Sequence, residues 1–412
     1  MSVKCLIAVA NRYFLCRALP HGVISWRYLL PHQPPKVRIH RQLWLMGRHP
    51  RIPLPLYFLI ELLLWLRWVT FACWRRSWRA VRRQGADICA REGIGKNTLL
   101  IRVLAMSLCH CIPPGEILAF GLYRRTSKQE VWDYVFTNEA PAFHRWRDVR
   151  PGESAAALAL VQDKSRLADL LAARGIPMAP VLGVIPRGAQ FDPAPWLQNA
   201  HGLFCKPRHG SGSRDAFVIE RREDGETPAI FAVYNGMKAQ PASLDSVRKA
   251  IDKDDFLVQP VMANHPLFAP LSPTGDALTL RIITEQHPVH GAHCYSATLE
   301  IPNMADDDSH CHTILPIELS SGLIRPFPGE RLPGPAKACH DAALARLADC
   351  AVPFWDEITN SAMAAHRQLP DLYAIAWDYV ITPTGPYMLE GNGGWGTTMP
   401  QILLGGLLRN ET

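Results

Sequence analysis

Residues 373–392, YAIAWDYVITPTGPYMLEGN, constrain the fold of this chain more than any other segment. An apolar run that carries Asp378 is followed by a Pro/Thr/Gly turn and by a second apolar run that ends in Glu390 and Asn392. Two strands joined by such a turn would set one carboxylate from each strand side by side, with an amide two residues further along the same face. The segment therefore predicts an antiparallel hairpin with oxygen-donor side chains on one face.

The three oxygen donors of this hairpin suit a hard cation. Mg²⁺ binds carboxylate and carbonyl oxygens, keeps several waters and usually shares its coordination shell with phosphates. An acidic cluster between apolar strands would be costly without a cation. We therefore predict Asp378, Glu390 and Asn392 as metal ligands in a site for nucleotide chemistry; a purely structural cluster is the alternative.

The pattern of apolar runs from residue 155 onward predicts a mixture of helices and antiparallel strands, which is the α+β class. An amphipathic helical run covers residues 154–177 and ends at Gly175 and Pro177. A further helical run covers residues 336–369. The predicted strands are residues 181–185, 203–207, 216–220, 256–262, 277–286 and 293–301, before the hairpin.

Two lysines and a glycine-rich loop form a second group of candidates. Lys206 ends the strand LFCK, and the loop HGSGS, residues 209–213, follows it. Backbone N–H groups of such a loop can wrap phosphate oxygens, to which a lysine adds a point charge. Lys164 lies at a helix N-terminus that Asp163 would cap. A flexible turn and a solvated surface lysine are the alternatives.

Two further candidates lie on the predicted strands between these groups. Gln259 precedes Pro260, which cannot donate to a strand ladder, so the strand edge there is free to meet a flat ligand. Arg281 lies in the β-branched run TLRIIT, where an arginine is rarely buried without an anion. An ordinary strand end and a structural salt bridge are the alternatives.

In chain order the pattern is Lys, then Lys with a glycine-rich loop, Gln-Pro, Arg, Asp and Glu-x-Asn. This order resembles the ATP-grasp superfamily. The stretches WDYVITPTGPYMLEGN, TLRIIT and LVQPVMANHP are most similar to its sugar-transfer associated branch, which is related to glutamate-ligase-like enzymes. The resemblance covers roughly residues 110–408. It implies two α+β subdomains that grip ATP, preceded by an N-terminal helical region.

The resemblance also implies a role for each candidate. The two lysines would bind the ATP phosphates under the closed loop, the main chain near Gln259 and Val261 would meet the adenine, and the arginine would hold the γ-phosphate or an acyl phosphate. The hairpin donors would hold one or two Mg²⁺. The residues carried over are Lys164, Lys206, Gly210, Ser211, Gly212, Gln259, Val261, Arg281, Asp378, Glu390 and Asn392, with Arg281 and Lys206 as catalytic groups.

The activity implied by the resemblance is Mg²⁺- and ATP-dependent, ADP-forming ligation of a carboxylate to an amine through an acyl phosphate. The branch name alone suggests a sugar-linked metabolite; a peptide- or lipid-linked one is equally compatible with the motifs. The partners are then small molecules, and no nucleic acid is expected. A phosphotransferase on the same fold and a non-catalytic membrane adaptor are the alternative functions.

The net charge of +7 conceals a split along the chain. Residues 1–83 contain fifteen lysines and arginines and a single acidic residue, Glu61, so their net charge is +14 and the remainder carries −7. A basic segment on an acidic body predicts an anionic partner: a membrane surface, a nucleic acid or another protein. An anionic membrane surface is the partner that we expect for residues 1–83.

The longest apolar stretch, residues 52–74, supports that expectation but leaves three interpretations open. It is long enough to span a bilayer, yet Glu61 and Arg67 would each cost about 2.5–3.5 kcal/mol at the bilayer centre. An interfacial helix tolerates charges and favours tryptophans and a basic flank. The stretch is therefore an interfacial membrane helix, a buried core helix or a true span.

These observations suggest three regions and a cellular location. Residues 1–50 are a basic segment of uncertain order, residues 51–150 a helical region that contains the apolar helix, and residues 151–412 the catalytic region. No secretory signal is expected, because arginines interrupt the first apolar run. Eleven cysteines without a regular spacing predict free thiols in a reducing compartment. We therefore expect a cytoplasmic protein that is peripheral on the membrane.

Overall fold

A computed structural model divides the chain into two compact units. The helical unit comprises Met1–Arg147, Phe327–Ala338 and Gly394–Thr412, and the sheet unit comprises Asp148–Pro326 and Cys339–Gly393. The described residues are 11–124, 130–148, 151–198, 200, 202–210, 215–220, 230–235, 238–272, 275–287, 289–302, 312–327, 334–347 and 349–411.

The described residues before Gly183 are helical or irregular, and helices and strands are mixed from Gly183 onward. The helices are α1 Pro35–Met46, α2 Leu54–Arg67, α3 Cys73–Glu92, α4 Lys96–His110, α5 Pro114–Ala119, α6 Ala140–Arg147, α7 Pro151–Gln162, α8 Lys164–Ala172, α9 Ala194–Leu197, α10 Leu244–Ile251, α11 Gly334–Leu347, α12 Trp355–His366 and α13 Thr398–Leu404. The strands are β1 Gly183–Ile185, β2 Gly202–Pro207, β3 Phe217–Glu220, β4 Ile230–Asn235, β5 Lys238–Ala242, β6 Phe256–Pro260, β7 Thr279–His287, β8 Gly291–Pro302, β9 His312–Pro316, β10 Ala374–Thr382 and β11 Gly385–Asn392.

The strands of the sheet unit form two sheets. The first sheet has the order β1-β6-β2-β3-β4-β5, and the second has the order β11-β10-β7-β8-β9. All neighbouring strands in both sheets are antiparallel. The predicted α+β class is therefore confirmed for the described residues.

The predicted hairpin is β10 and β11, and the register sets Asp378 directly opposite Glu390. The register then shifts, because the next pair is Tyr379 with Met388. Leu389 is thus an extra residue on β11, which is the arrangement of a β-bulge. The bulge keeps the two carboxylates on one face and returns Tyr379 and Met388 to the opposite face, where both are buried in the core.

The second sheet has one apolar face and one polar face. Successive residues of a strand point to opposite faces, so alternate residues share a face. On β10 the alternate residues Ile375, Trp377 and Tyr379 belong to the core, which also contains Leu280 and Ile282 of β7. Helix α12 packs against β7, β8 and β10, and α7 and α8 pack against β11. Asp378 lies on the face of β10 opposite to these core residues, between the buried Ala376 and Val380.

Two predicted helical runs are each divided in the structure. The run at residues 154–177 becomes α7 and α8, which meet at Asp163. The Asp163 side chain accepts a hydrogen bond from the Arg166 N–H at 3.2 Å, which confirms the predicted cap of the helix that begins at Lys164. The run at residues 336–369 becomes α11 and α12, because Pro353 cannot lie inside a helix.

Gly391, between the two donors of β11, leaves room for a core side chain. A Cβ at this position would lie 2.7 Å from Cζ3 of the buried Trp377. We expect Gly391→Ala to destabilise the chain by about 1–3 kcal/mol, because the indole would have to shift in a packed core. Thermal unfolding followed by circular dichroism measures this. Gly394→Ala is the control, since a Cβ there meets no atom within 4 Å; equal midpoints for the two variants would contradict the prediction.

Candidate active site

A row of polar side chains crosses the second sheet. Glu390 is paired with Asp378, Asp378 with Arg281, and Arg281 with Thr298 on four adjacent strands. Residues directly opposite one another on neighbouring strands share a face of the sheet. The structure therefore brings three predicted site residues, from parts of the sequence about a hundred residues apart, into one row.

Arg281 binds two carboxylates on this face. Its Nε and Nη2 donate to the two oxygens of Asp378 at 2.8 and 3.0 Å, and its Nη1 lies 3.0 Å from Oε1 of Glu300. The negative charge of Asp378 raises the pKa of the Arg281 guanidinium, so this group stays charged. The anion predicted beside this arginine is present in the chain as the Asp378 and Glu300 side chains.

Burial raises the pKa of the Asp378 carboxyl to about 6, although the neighbouring Arg281 lowers it. Asn392 links this carboxyl to the other predicted donor. Its Nδ2 donates to Asp378 at 3.3 Å and to Glu390 at 3.4 Å. Asn392 is therefore in contact with both of the predicted carboxylate ligands. Within the described ranges, no group of three or more His, Cys, Asp or Glu side chains could hold a metal ion.

Lys206 reaches this face from the first sheet. Its Nζ donates to the carbonyl oxygen of Leu389, the extra residue of the bulge, at 2.9 Å. Burial lowers the pKa of Lys206 to about 8, opposed by the negative charge of Glu390. The bulge therefore turns a main-chain carbonyl towards a buried ammonium group beside the carboxylates.

Lys164 connects the hairpin to the start of the glycine-rich loop. Its Nζ donates to the carbonyl oxygen of Gly210 at 2.7 Å and lies 3.7 Å from Oε2 of Glu390. Gly210 has a φ of +103°, a conformation that glycine adopts without strain. Ser211 and Gly212, also predicted for this loop, lie outside the described residues.

A salt-bridge network supports the strand end that leads into this loop. Arg208 donates to both oxygens of Asp163 at 2.9 and 2.8 Å and to Asp255 at 3.5 Å. The Arg208 hydrogen bonds lower the pKa of Asp163. Asp163 thus caps α8 and also binds Arg208 at the base of the loop. The cap places Lys164 at the first residue of the helix.

Gln259 and Val261 lie at the end of β6. Gln259 is buried, and its Nε2 donates to the carbonyl oxygen of Ala179 at 3.2 Å. Ala179 in turn donates its N–H to Met388, next to the bulge. The predicted free edge needs correction, because β6 lies between β1 and β2 and the Val261 N–H donates to Gly202 at 2.9 Å.

The main-chain groups of successive residues point to opposite sides of a strand. Since Val261 donates towards β2, the carbonyl of Pro260 points towards the side of β1. The paired part of β1 ends opposite Val258, before Pro260 is reached. The Pro260 carbonyl therefore lies beyond the paired part of β1.

Three features of the site were not predicted: the Glu300 contact with Arg281, the Leu389 bulge and the Arg208 network. Glu300 lies on β8, two residues from Thr298, the residue opposite Arg281, and is therefore a diagonal neighbour. Such a contact depends on strand order and register, which the residue pattern does not specify. A bulge likewise leaves no signal in a run as short as PYMLEGN.

A model of one protein family matches residues 149–412, more than half of the chain. That family is described as sugar-transfer associated ATP-grasp. The fold of the sheet unit is therefore that of an ATP-grasp protein, as the residue pattern predicted. The chain belongs to the sugar-transfer associated ATP-grasp family, whose members bind ATP.

Solved structures similar to this chain include two ligases and a synthetase. A D-alanine–D-alanine ligase from Bacillus anthracis complexed with ATP is 11% identical, with a TM-score of 0.32 over 58% of this chain and 57% of that one. The D-Ala:D-Ser ligase VanG from Enterococcus faecalis is 13% identical, with a TM-score of 0.35 over 60% and 55%. The D-cycloserine synthetase DcsG is 18% identical, with a TM-score of 0.31 over 59% and 66%.

This chain covers about half to three fifths of the length of three such solved structures. No curated protein matches the chain.

Proposed function

We propose that the chain is an ATP- and Mg²⁺-dependent ligase that joins a carboxylate to an amine through an acyl phosphate and releases ADP. The observation that carries this proposal is the row Glu390–Asp378–Arg281 with Lys206 beside it, in a chain of the ATP-grasp family. We assign the catalysis to residues 151–412, and keep residues 51–150 as a helical region and residues 1–50 as a basic segment.

The phosphates of ATP would lie between the two sheets of the sheet unit. Lys206 and Lys164 supply positive charge there, and both already contact the hairpin or its carboxylates. The loop that begins at Gly210, with Ser211 and Gly212, would cover the phosphates through its N–H groups. The adenine would meet the end of β6 near Gln259 and Val261, through the Pro260 carbonyl.

The donor set fits Mg²⁺, because two carboxylates occupy paired positions on adjacent strands and one amide side chain reaches both. Asp378, Glu390 and Asn392 would hold the cation. When bound, it would neutralise charge on the phosphates, which the two carboxylates would otherwise repel.

The reaction has two steps. A carboxylate oxygen of the substrate attacks the γ-phosphorus, the bond from that phosphorus to the bridging oxygen breaks, and ADP leaves with the electron pair. An amine then attacks the acyl carbon, the bond to the phosphate oxygen breaks, and the amine loses a proton as phosphate departs. The carboxylate partners of Arg281 keep its guanidinium charged. This guanidinium stabilises the γ-phosphate and the acyl phosphate, and Lys206 stabilises the charge that develops on ADP.

Product analysis tests this proposal against its closest rival. Full-length chain is incubated with Mg²⁺-ATP and a panel of sugar-, peptide- and lipid-linked carboxylates and amines. Ligation gives ADP, free phosphate and an amide in equal amounts. ADP with a stable phosphoester and no free phosphate would instead identify a phosphotransferase, and failure to bind Mg²⁺-ATP would exclude both enzymes in favour of an adaptor.

The lowered pKa of Lys206 makes ATP binding depend on pH. In the free protein this ammonium loses its proton around pH 8, whereas bound phosphates would return its pKa towards 10.5. ATP binding should therefore take up a proton, with an uptake that is near zero well below pH 8 and rises towards one between pH 8 and 10.5, and the affinity should fall as the pH rises through this range. Calorimetry in buffers of different ionisation enthalpy measures the uptake. Lys206→Arg should abolish it, since a guanidinium stays protonated.

We also propose that the protein works in a reducing compartment, the cytoplasm, at the surface of a membrane. The nine cysteines in the described ranges are all free thiols, which supports the first part. The basic charge of residues 1–83 supports the second. The continuous helix Leu54–Glu92 is the one candidate span among the described residues, by length and composition only.

A further inference from the structure

The helix Leu54–Glu92 presents a wide apolar face to solvent. Eleven large apolar side chains in its first two thirds are between 36% and 64% exposed. They are Leu54, Leu56, Phe58, Leu59, Leu62, Leu63, Trp65, Leu66, Phe71, Trp74 and Trp78. Soluble proteins rarely expose contiguous apolar patches of this kind unless the patch has a binding partner. We call these eleven residues the apolar face.

The opposite side of the same helix is packed against the protein. Tyr57, Glu61, Leu64 and Trp68 follow one another at helical spacing and are at most 2% exposed. A helix surrounded by lipid would need this stripe, including its carboxylate, to be free of the protein. The helix is therefore covered on one side and open on the other, as in a helix that lies along an interface.

The acidic residue of the stretch is turned into the protein. Oε1 of Glu61 lies 2.6 Å from Nδ1 of His21, and Oε2 accepts hydrogen bonds from Nε1 of Trp44 at 2.6 Å and from the His21 N–H at 3.1 Å. The charge that made residues 52–74 a poor membrane segment is thus satisfied within the helical unit. It adds nothing unfavourable to the apolar face.

Arg67 is satisfied in the same way. Its Nη1 donates to the carbonyl oxygens of Leu15 and Arg17 at 3.1 and 2.6 Å, and its guanidinium lies 4.9 Å from the ring centroid of Phe14. Both charges of the apolar stretch therefore point away from the apolar face. Neither would enter a bilayer that contacts this face.

A π turn, Trp68–Ala72, keeps the two sides of the helix in phase. The Cys73 N–H bonds to the Trp68 carbonyl five residues back, which inserts one residue into the turn. The buried stripe then continues through Cys73, Ser77, Val81 and Ile88 of α3. Without the extra residue, Arg75 and Arg79 would fall on the buried side.

As a result, five arginines of α3 are exposed on the continuation of the same helix, beside Trp74 and Trp78. They are Arg75, Arg76, Arg79, Arg82 and Arg83. Tryptophans and arginines next to an apolar stretch match the headgroup region of an anionic membrane, where each arginine adds attraction. The apolar part and the basic part of this surface thus point to the same partner.

We propose that the apolar face is a docking surface for an anionic lipid bilayer, in which α2 lies in the plane of the membrane and the arginines of α3 contact the headgroups. The proposal rests on the membrane part of the proposed function and is independent of the ligase part. Its occupant is the bilayer because the arginines complement anionic lipid, whereas a second copy would bring its own arginines to the contact.

Vesicle flotation of the full chain tests the proposal without any turnover. The vesicles are phosphatidylcholine alone or an equal mixture with phosphatidylglycerol. We expect recovery with the anionic vesicles, decreasing with salt. Leu59→Gln, Leu62→Gln and Leu66→Gln together should weaken partitioning at least about tenfold, since they lie at the centre of the apolar face. Arg75→Gln, Arg79→Gln and Arg82→Gln together should remove the preference for anionic vesicles.

The control is the triple variant Ile101→Gln, Val289→Gln and Leu404→Gln, which makes the same change at exposed apolar positions off this helix. It should bind like the original chain, and circular dichroism checks that each variant is folded. Equal losses in the control and the Leu variant would overturn the proposal. So would a dimer, detected by light scattering without vesicles, that the Leu variant dissociates while vesicle binding is absent.

Discussion

Replacing Asp378 by Asn and Glu390 by Gln together is expected to lower ADP formation from Mg²⁺-ATP by at least about a thousandfold, because two charged ligands are lost where the phosphate charge develops. Asp378 and Glu390 are paired across β10 and β11, so each of the two strands supplies one of the two carboxylates. Steady-state release of ADP measures the effect. Mg²⁺ titration of the same protein should show weaker binding of the cation.

Loss of fold is the competing explanation, since Asp378 also pairs with Arg281. Asp378→Asn alone should lower the free energy of unfolding by about 2 kcal/mol, less than for an isolated buried pair, because Arg281 keeps Glu300 as a partner. Adding Arg281→Gln should restore neither the stability nor the turnover, because it removes the partner of Glu300. Recovery of turnover in this combined variant would show that the carboxylate is structural.

Glu318→Gln is the matched control for the acidic variants. Glu318 is an exposed carboxylate that pairs with Arg325 at 2.8 Å and accepts from Ser321, on the sheet unit but away from the row. We expect its turnover to equal that of the unchanged chain. A folded double variant that forms ADP as fast as this control would refute the assignment of the metal ligands.

Lys206→Met is expected to weaken ATP binding by at least about a hundredfold. The ammonium is buried, so little solvent screens its attraction for a phosphate, and methionine fills a similar volume without the charge. Equilibrium binding of ATP, by calorimetry or a fluorescent analogue, measures the loss. The thermal midpoint should change little, because removing a buried charge offsets the lost hydrogen bond to Leu389.

Lys253→Met is the control for this variant. Lys253 is an exposed lysine that pairs with Asp215 at 2.8 Å. Its replacement removes the same charge from the same unit at the surface, and we expect less than a twofold change in ATP affinity. Similar losses in the two variants would mean that net charge, not the position of Lys206, governs binding. Full affinity in Lys206→Met would remove this lysine from the proposed site.

The residue pattern predicted the hairpin because its information is local. An apolar run, a turn and a second apolar run within twenty residues have few alternative pairings, and alternation assigns Asp378 and Glu390 to one face. The Asp163 cap was equally local, since it depends on the next three residues. The division of the run 336–369 into two helices was not predicted, although Pro353 is a local signal for it.

The contacts between distant segments could not be read in this way. The pairing of Arg281 with Asp378 and Glu300 depends on β7 lying between β10 and β8 in one register. The Leu389 carbonyl points towards Lys206 because β11 contains a bulge and because Lys206 lies on a strand of the first sheet. Each of these is selected by packing over the whole unit, to which a single residue contributes little.

The sequence by itself determined the α+β class, the hairpin with its three oxygen donors and the family, because these depend on residue type and on spacing along the chain. The tertiary structure alone decided which charges meet. It set Arg281 against two carboxylates, buried Lys206, and turned Glu61 and Arg67 of the apolar helix into the protein. A charge is costly or favourable only in relation to its neighbours, and the neighbours of these residues come from remote parts of the chain.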